Sequence, residues 1–158
     1  MVTLLVSVVG IVLLSILYSV IFYDQSVEKA YGQLKIYMNV YSEEFRSAEF
    51  SEETAQALSE QLGGSRVTFL LRDGTVIADT EADGALESHL EREEVQEALS
   101  GGEGYSVRQS ATLRENLVYY CRLFEGSFQL QDGTQEEGVL VRIAVKADSG
   151  FAIFADAL

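Results

Sequence analysis

The hydrophobic pattern changes period three times along the chain. From Val2 to Tyr23 there is no charged side chain, and Thr3, Ser7, Ser15 and Ser19 are the only small hydroxyl residues among aliphatics and aromatics. A helix of roughly 20 apolar residues spans a bilayer core, so this run predicts a transmembrane helix over residues 1–23. A secretory signal would show a shorter apolar core with basic residues before it and small residues at its end. Here Ile21, Phe22, Tyr23 and Asp24 follow, an interfacial aromatic anchor. From Asp24 to Ser47 the apolar positions Val27, Tyr31, Leu34, Met38, Tyr41 and Phe45 recur at steps of 4, 3, 4, 3 and 4, a helix with a heptad-like seam. With no proline anywhere, the two helices can be one. The seam can pack on the domain's own sheet or against a partner helix, and Ala30, Ile36, Tyr37 and Val40 widen the apolar face enough for both.

Ser51, Glu52 and Glu53 open a second helix that Gly63-Gly64 closes. The period then shortens to two. Arg66–Arg72 and Thr75–Ala78 flank Asp73-Gly74, a hairpin signal. Polar turns and a short helix around Glu93–Leu99, stopped by Gly101-Gly102, precede strand patterns at Tyr105–Thr112, Leu117–Phe124 and Val139–Lys146. A polar loop is expected over Glu125–Gly138. Short connections between strands favour an α+β domain over residues 24–147: a five-stranded antiparallel sheet with flanking helices. Residues 148–158 are expected to begin a second membrane segment or a linker.

Charge narrows the function. The chain has 158 residues and a net charge of −14, all of it after residue 23. So acidic a domain disfavours nucleic acid, which needs clustered Lys and Arg, and disfavours lying on anionic lipid. Such charge also keeps a small domain soluble. Cys121 is alone, which excludes an internal disulfide and a cysteine-based metal site. Among strand-forming neighbours it reads as a small buried hydrophobe. His89 is the only histidine and has no nucleophile motif beside it, and no phosphate-cradling glycine loop is present. Neither a cofactor, a metal nor catalysis within this segment is expected.

Three places could hold chemistry. Asp79-Thr80-Glu81-Ala82-Asp83-Gly84 has the alternating acids of a calcium loop, but Leu90 stands where the twelfth-position carboxylate belongs, so a solvated turn is expected. The stretch His89-Leu90-Glu91-Arg92-Glu93-Glu94 suggests an interior ion pair at a strand-to-helix junction. Arg108, Ser110 and Thr112 share one face of a strand, with Arg114 in the turn beyond. That face could take a carboxylate or phosphate, or be the solvent side of an edge strand. The candidate ligand-binding residues are therefore Arg108, Ser110, Thr112, His89 and Arg92.

The runs Arg66–Asp79, His89–Leu99, Gly101–Gly104, Arg108–Thr112 and Gly138–Val145 keep one order and spacing. Over about residues 60–147 they resemble the extracytoplasmic PAS-like (Cache/PDC-type) sensor domain of bacterial sensor histidine kinases of the phosphate-regulon type. The resemblance implies a PAS-like sheet outside the cytoplasm, anchored in the cell membrane through residues 2–23. An envelope ligand or protein partner of unknown identity goes with it, and the heptad-like seam Val27, Tyr31, Leu34, Met38, Tyr41 and Phe45 is expected to bring two copies together as a homodimer. The parent chain would be a protein-histidine kinase whose catalytic core lies elsewhere; His89 would not be its phosphoacceptor. Signalling would then be mechanical, a small displacement of the continuous helix. A chemoreceptor's ligand-binding domain, or a stand-alone membrane-anchored interaction protein, would fit the same residues.

Overall fold

A computed structural model describes residues 2–81, 88–109, 116–130 and 132–147. Helix α1 runs unbroken from Val2 to Val40, 39 residues. Ser7 and Ser15 turn their hydroxyls back onto the carbonyls of Thr3 and Ile11 at 3.0 and 2.9 Å, so neither leaves a polar group open on the apolar segment. Residues 2–23 cover about 33 Å of helix at ~1.5 Å per residue, enough to cross a hydrocarbon core. Their large side chains from Leu5 to Ile21 are exposed. Beyond them the same helix turns a stripe onto the sheet: Ala30, Leu34 and Met38 are buried, with Tyr23, Val27 and Tyr31 packed beside them.

A turn at Tyr41 leads into α2 (Ser42–Ser47), whose Phe45 is buried. Helix α3 (Glu52–Gln61) starts as its sequence predicts: the Ser51 hydroxyl accepts from the Thr54 amide at 3.1 Å. Five strands follow: β1 (Arg66–Leu71), β2 (Val76–Asp79), β3 (Glu103–Gln109), β4 (Asn116–Gln129) and β5 (Gln135–Lys146). Helix α4 (Glu93–Gly101) stands between β2 and β3. The sheet has the order β2-β1-β5-β4-β3 with antiparallel pairing throughout, and with its flanking helices it is the expected PAS-like α+β arrangement.

The expected loop over Glu125–Gly138 is largely strand. Chains β4 and β5 continue as one hairpin and turn only at Leu130–Thr134, where the Leu130 amide donates to the Thr134 carbonyl at 2.8 Å. The register shift between Phe124 and Ser127 marks a bulge at Glu125-Gly126, so a glycine read as loop punctuation is the extra residue of a bulge. Phe128 holds the extension down, its ring 5.5 Å from Phe50.

The two faces of the sheet differ. One carries Val67, Phe69, Val118, Tyr120, Phe124, Val139, Val141 and Ile143 and is roofed by α1, α2 and α3. Each such side chain contributes about 1.5–3 kcal/mol on burial. The other is half apolar, where Leu70, Val76, Cys121 and Leu140 meet Val95 and Ala98 of α4. Its remainder holds charge.

Candidate functional site

Strand alternation builds the charged half. Across the sheet Asp79, Thr68, Arg142, Cys121 and Gly104 stand in one paired row, and Arg66, Ala144, Tyr119 and Ser106 in the next. Of the small residues in these rows, Gly104 lies directly under the backbone of α4 and Cys121 packs in the apolar half. Arg142, in the middle of the central strand, is 2% exposed.

Arg66 grips Asp79 with two parallel bonds, Nε to Oδ1 and Nη2 to Oδ2, both 2.8 Å. Thr68 donates to Asp79 Oδ2 at 3.1 Å, and the Glu81 amide to Oδ1 at 3.0 Å. Glu94, buried in the first turn of α4, accepts from Ser106 at 2.6 Å and from Arg108 at 3.0 Å. Arg142 lies between the two acids. Its Nη1 reaches Glu94 Oε1 and its Nη2 reaches Asp79 Oδ2, each at 3.4 Å, and Nη2 donates to Thr68 at 3.1 Å. The ring of Tyr119 faces both neighbouring guanidiniums, 4.0 Å from Arg108 and 5.2 Å from Arg142.

Burial pushes the carboxyls of Asp79 and Glu94 up, but their partners more than offset it. Arg66 holds Asp79 below its ordinary range, and Ser106, Arg142 and Arg108 do the same for Glu94. Both are ionised. Among the described residues the pairing is incomplete: Arg142 Nε and Arg108 Nε are buried without a hydrogen-bond partner.

His89 joins the cluster from the segment before α4. The Asp73-Gly74 turn positions it: the His89 amide donates to the Gly74 carbonyl at 2.8 Å. Gly74 has φ +83°, and a Cβ there would lie 2.4 Å from the Leu90 nitrogen, so only glycine lets this segment close over the hairpin. His89 Nδ1 is buried and unpartnered. Burial, and then the charges of Arg142 and Arg92, press its pKa down to about 4, leaving the ring neutral.

Of the sequence candidates, Arg108 and His89 are brought to the cluster. Arg92 stands at the N-cap of α4 without a side-chain cap; its amide donates to the His89 carbonyl at 3.1 Å, and its side chain acts on the His89 ring as a nearby charge. Ser110 and Thr112 lie outside the described residues, as do Arg114 and residues 148–158. The solvated turn expected at Asp79 is corrected: this carboxylate is buried and ion-paired, because it faces Arg66 across the β1–β2 pair. The seam also changes. Leu34, Met38 and Phe45 are fully buried in the domain's own core, with Val27, Tyr31 and Tyr41 packed against it, because the sheet lies under this face of the helix. The face left open carries Gln33, Ile36 and Val40, the last two 60% and 69% exposed.

The interior ion pair expected within His89–Glu94 is present at Glu94, buried against Arg108 and Arg142, whereas sequence reasoning missed Arg142, Arg66, Asp79 and Tyr119 as its surroundings. One signal was available: Arg142 interrupts the otherwise apolar run Val139–Val145, and a charge mid-strand there must be buried and paired. The rest depends on strand register.

No family model matches the chain, and no curated protein matches it either. Among solved structures it is similar to the E. coli DcuS sensor domain, with 12% identity and a TM-score of 0.48 over 80% of this chain and 92% of that one.

Proposed function

We propose that this chain is the extracytoplasmic signal-sensing input module of a two-component sensor histidine kinase, anchored by residues 2–23 and acting as a dimer. The observation that supports it is α1: one helix without a break joins an apolar, exposed, membrane-length segment to the stripe Leu34–Met38 packed under the sheet. A rearrangement in the sheet therefore has a stiff lever running toward the membrane. A two-state element of this kind needs only a ligand that favours one state over the other.

The ligand class follows from the cluster. Arg142 Nε, Arg108 Nε and His89 Nδ1, unpartnered among the described residues, suit a small anion of the carboxylate or phosphate type. The Tyr119 ring beside Arg108 and Arg142 offers a flat wall. The dimer meets through the open face of α1, Gln33, Ile36 and Val40, against the same face of a second copy. Anchoring both copies in one bilayer raises their effective concentration, so a weak contact suffices.

The test uses the full chain in lipid nanodiscs, titrated calorimetrically with inorganic phosphate and with succinate. Saturable binding of at least one, weakened by added salt and lost in Arg142→Met, is expected. Binding of neither overturns the anion site. In cells, Glu60→Cys in a Cys121→Ala background should react with a membrane-impermeant maleimide added outside. Protection until the cells are broken would reverse the topology.

A further inference from the structure

Edge strand β3 touches the charged cluster with one face and the membrane-entering helix with the other. Gly104, Ser106 and Arg108 point to α4 and the cluster, Glu103 and Tyr105 to α1. Like β2 at the opposite edge, and unlike β1, β4 and β5, it pairs on one side only, with β4.

On the cluster side the strand and α4 are locked together. Ser106 and Arg108 both donate to Glu94, and the Tyr105 amide donates to Glu97 Oε2 at 3.0 Å. At Gly104 the strand backbone runs against the helix: a Cβ there would sit 2.3 Å from the Glu94 carbonyl oxygen and 2.8 Å from the Ala98 nitrogen. On the other side Glu103 Oε1 accepts from Lys35 of α1 at 3.2 Å, while Oε2 accepts from Tyr120 at 2.5 Å and Arg122 at 3.1 Å. The ring of Tyr105 lies 4.8 Å from that of Tyr31 on α1. Arg122 adds a bond from Nη1 to the Met38 carbonyl at 3.4 Å.

Glu94 is the hinge of this arrangement because it is the acceptor that Arg108 and Arg142 share. An anion reaching those guanidiniums competes with Glu94 for them. Releasing Glu94 shifts the start of α4, and the close approach at Gly104 makes β3 follow. We propose that α4 and β3 move as one unit when Glu94 is released, and that Tyr31 and Lys35 register the movement on α1. The trigger rests on the anion reading above; the mechanical link from Glu94 to α1 does not.

The chain contains no tryptophan, so Tyr31→Trp gives a unique fluorescent reporter on the helix. In the full chain in nanodiscs, Glu94→Gln and Ser106→Ala should each shift the reporter's emission. Inorganic phosphate should shift it in the same direction in the parent reporter chain. Adding Tyr105→Ala and Lys35→Gln should abolish all three responses. A second reporter, Tyr41→Trp at the far end of the helix stripe, should respond less. If Glu94→Gln unfolds the chain, Ser106→Ala, which removes a single hydrogen bond, decides the matter. An unchanged Tyr31→Trp signal in folded Ser106→Ala, or responses that survive Tyr105→Ala with Lys35→Gln, overturns the link. Shifts with the variants but none with phosphate uphold the link and count against phosphate as the anion. Calorimetric binding of phosphate with a reporter silent to phosphate and to both variants overturns the link and leaves the anion site standing.

Discussion

Arg142 and Glu94, separated by 48 residues in sequence, meet inside the domain at 3.4 Å, both side chains essentially without solvent contact. Taking such charges out of water costs several kcal/mol per ion, which their mutual attraction offsets only when geometry and hydrogen bonding are good. Here they are only partly good. Glu94 has short bonds to Ser106 and Arg108, whereas Arg142 has one ordinary bond, to Thr68, two long contacts to the acids and an unpaired Nε. An incompletely satisfied guanidinium at the centre of a sheet is the feature on which the anion reading stands.

Removing either sign of charge should therefore have unequal effects. Arg142→Met leaves Asp79 with Arg66 and Glu94 with Arg108, so stability in urea should be unchanged or slightly raised while anion binding is lost. Asp79→Asn strips Arg66 of its bidentate partner and Arg142 of one acceptor, and should destabilise by about 3–5 kcal/mol, as breaking buried pairs does. Equal losses in the two variants would contradict this assignment.

His89 sets a pH window. Its pKa falls from 6.5 in the unfolded chain to about 4 in the folded one, so between those values the unfolded state binds more protons. Its contribution to stability is complete above pH 6.5 and declines as pH drops toward 4. Urea midpoints measured from pH 7 to 4 should fall in the parent chain, and His89→Gln should remove part of that slope. Asp79 and Glu94, also held low when folded, act in the same direction at more acid pH, so the variant will not be flat below pH 4.

Glycine 104 has no room for a methyl group. Gly104→Ala places a Cβ 2.3 Å from the Glu94 carbonyl and 2.5 Å from Glu97 Cβ, both on a packed helix. Overpacking of this kind costs about 1–3 kcal/mol. Thermal unfolding should show that loss, whereas Gly64→Ala, with open space around it, should show only the smaller effect of its positive φ.

The two sides of α1 should separate cleanly. Leu34→Ala and Met38→Ala remove fully buried side chains and should each cost about 2–5 kcal/mol. Ile36→Ala and Val40→Ala should stay within about 0.5 kcal/mol, as exposed positions do. In membranes, with Cys121→Ala, single cysteines at Gln33, Ile36 and Val40 should cross-link between copies. Cysteines at Leu34 and Met38 should not. Cross-linking confined to the buried positions would place the dimer elsewhere.

The sequence by itself determined every element whose signal is local. The apolar helix of residues 2–23, the Ser51 cap, the glycine stops after α3 and α4 and the strand-forming runs of β1, β4 and β5 each depend on a few neighbouring residues, and each is present, the three strands being buried on both faces. Local signals also assigned Val27–Phe45 one apolar face. They could not choose between sheet and partner, because burying that stripe satisfies the same pattern either way. Only the tertiary structure settles that the domain's own sheet lies under Leu34 and Met38. It also turns Glu125–Gly138 from loop into hairpin, through a contact between Phe128 and Phe50 that no local pattern encodes. The charged cluster was least legible. Its members come from β1, β2, α4, β3, β4 and β5, and apart from Arg142, a charge inside an apolar strand, each charge by itself reads as ordinary for its place in a strand, turn or first helical turn. Strand order and register decide which charges share a face, and burial then makes their pairing obligatory. Neither is written in any one segment.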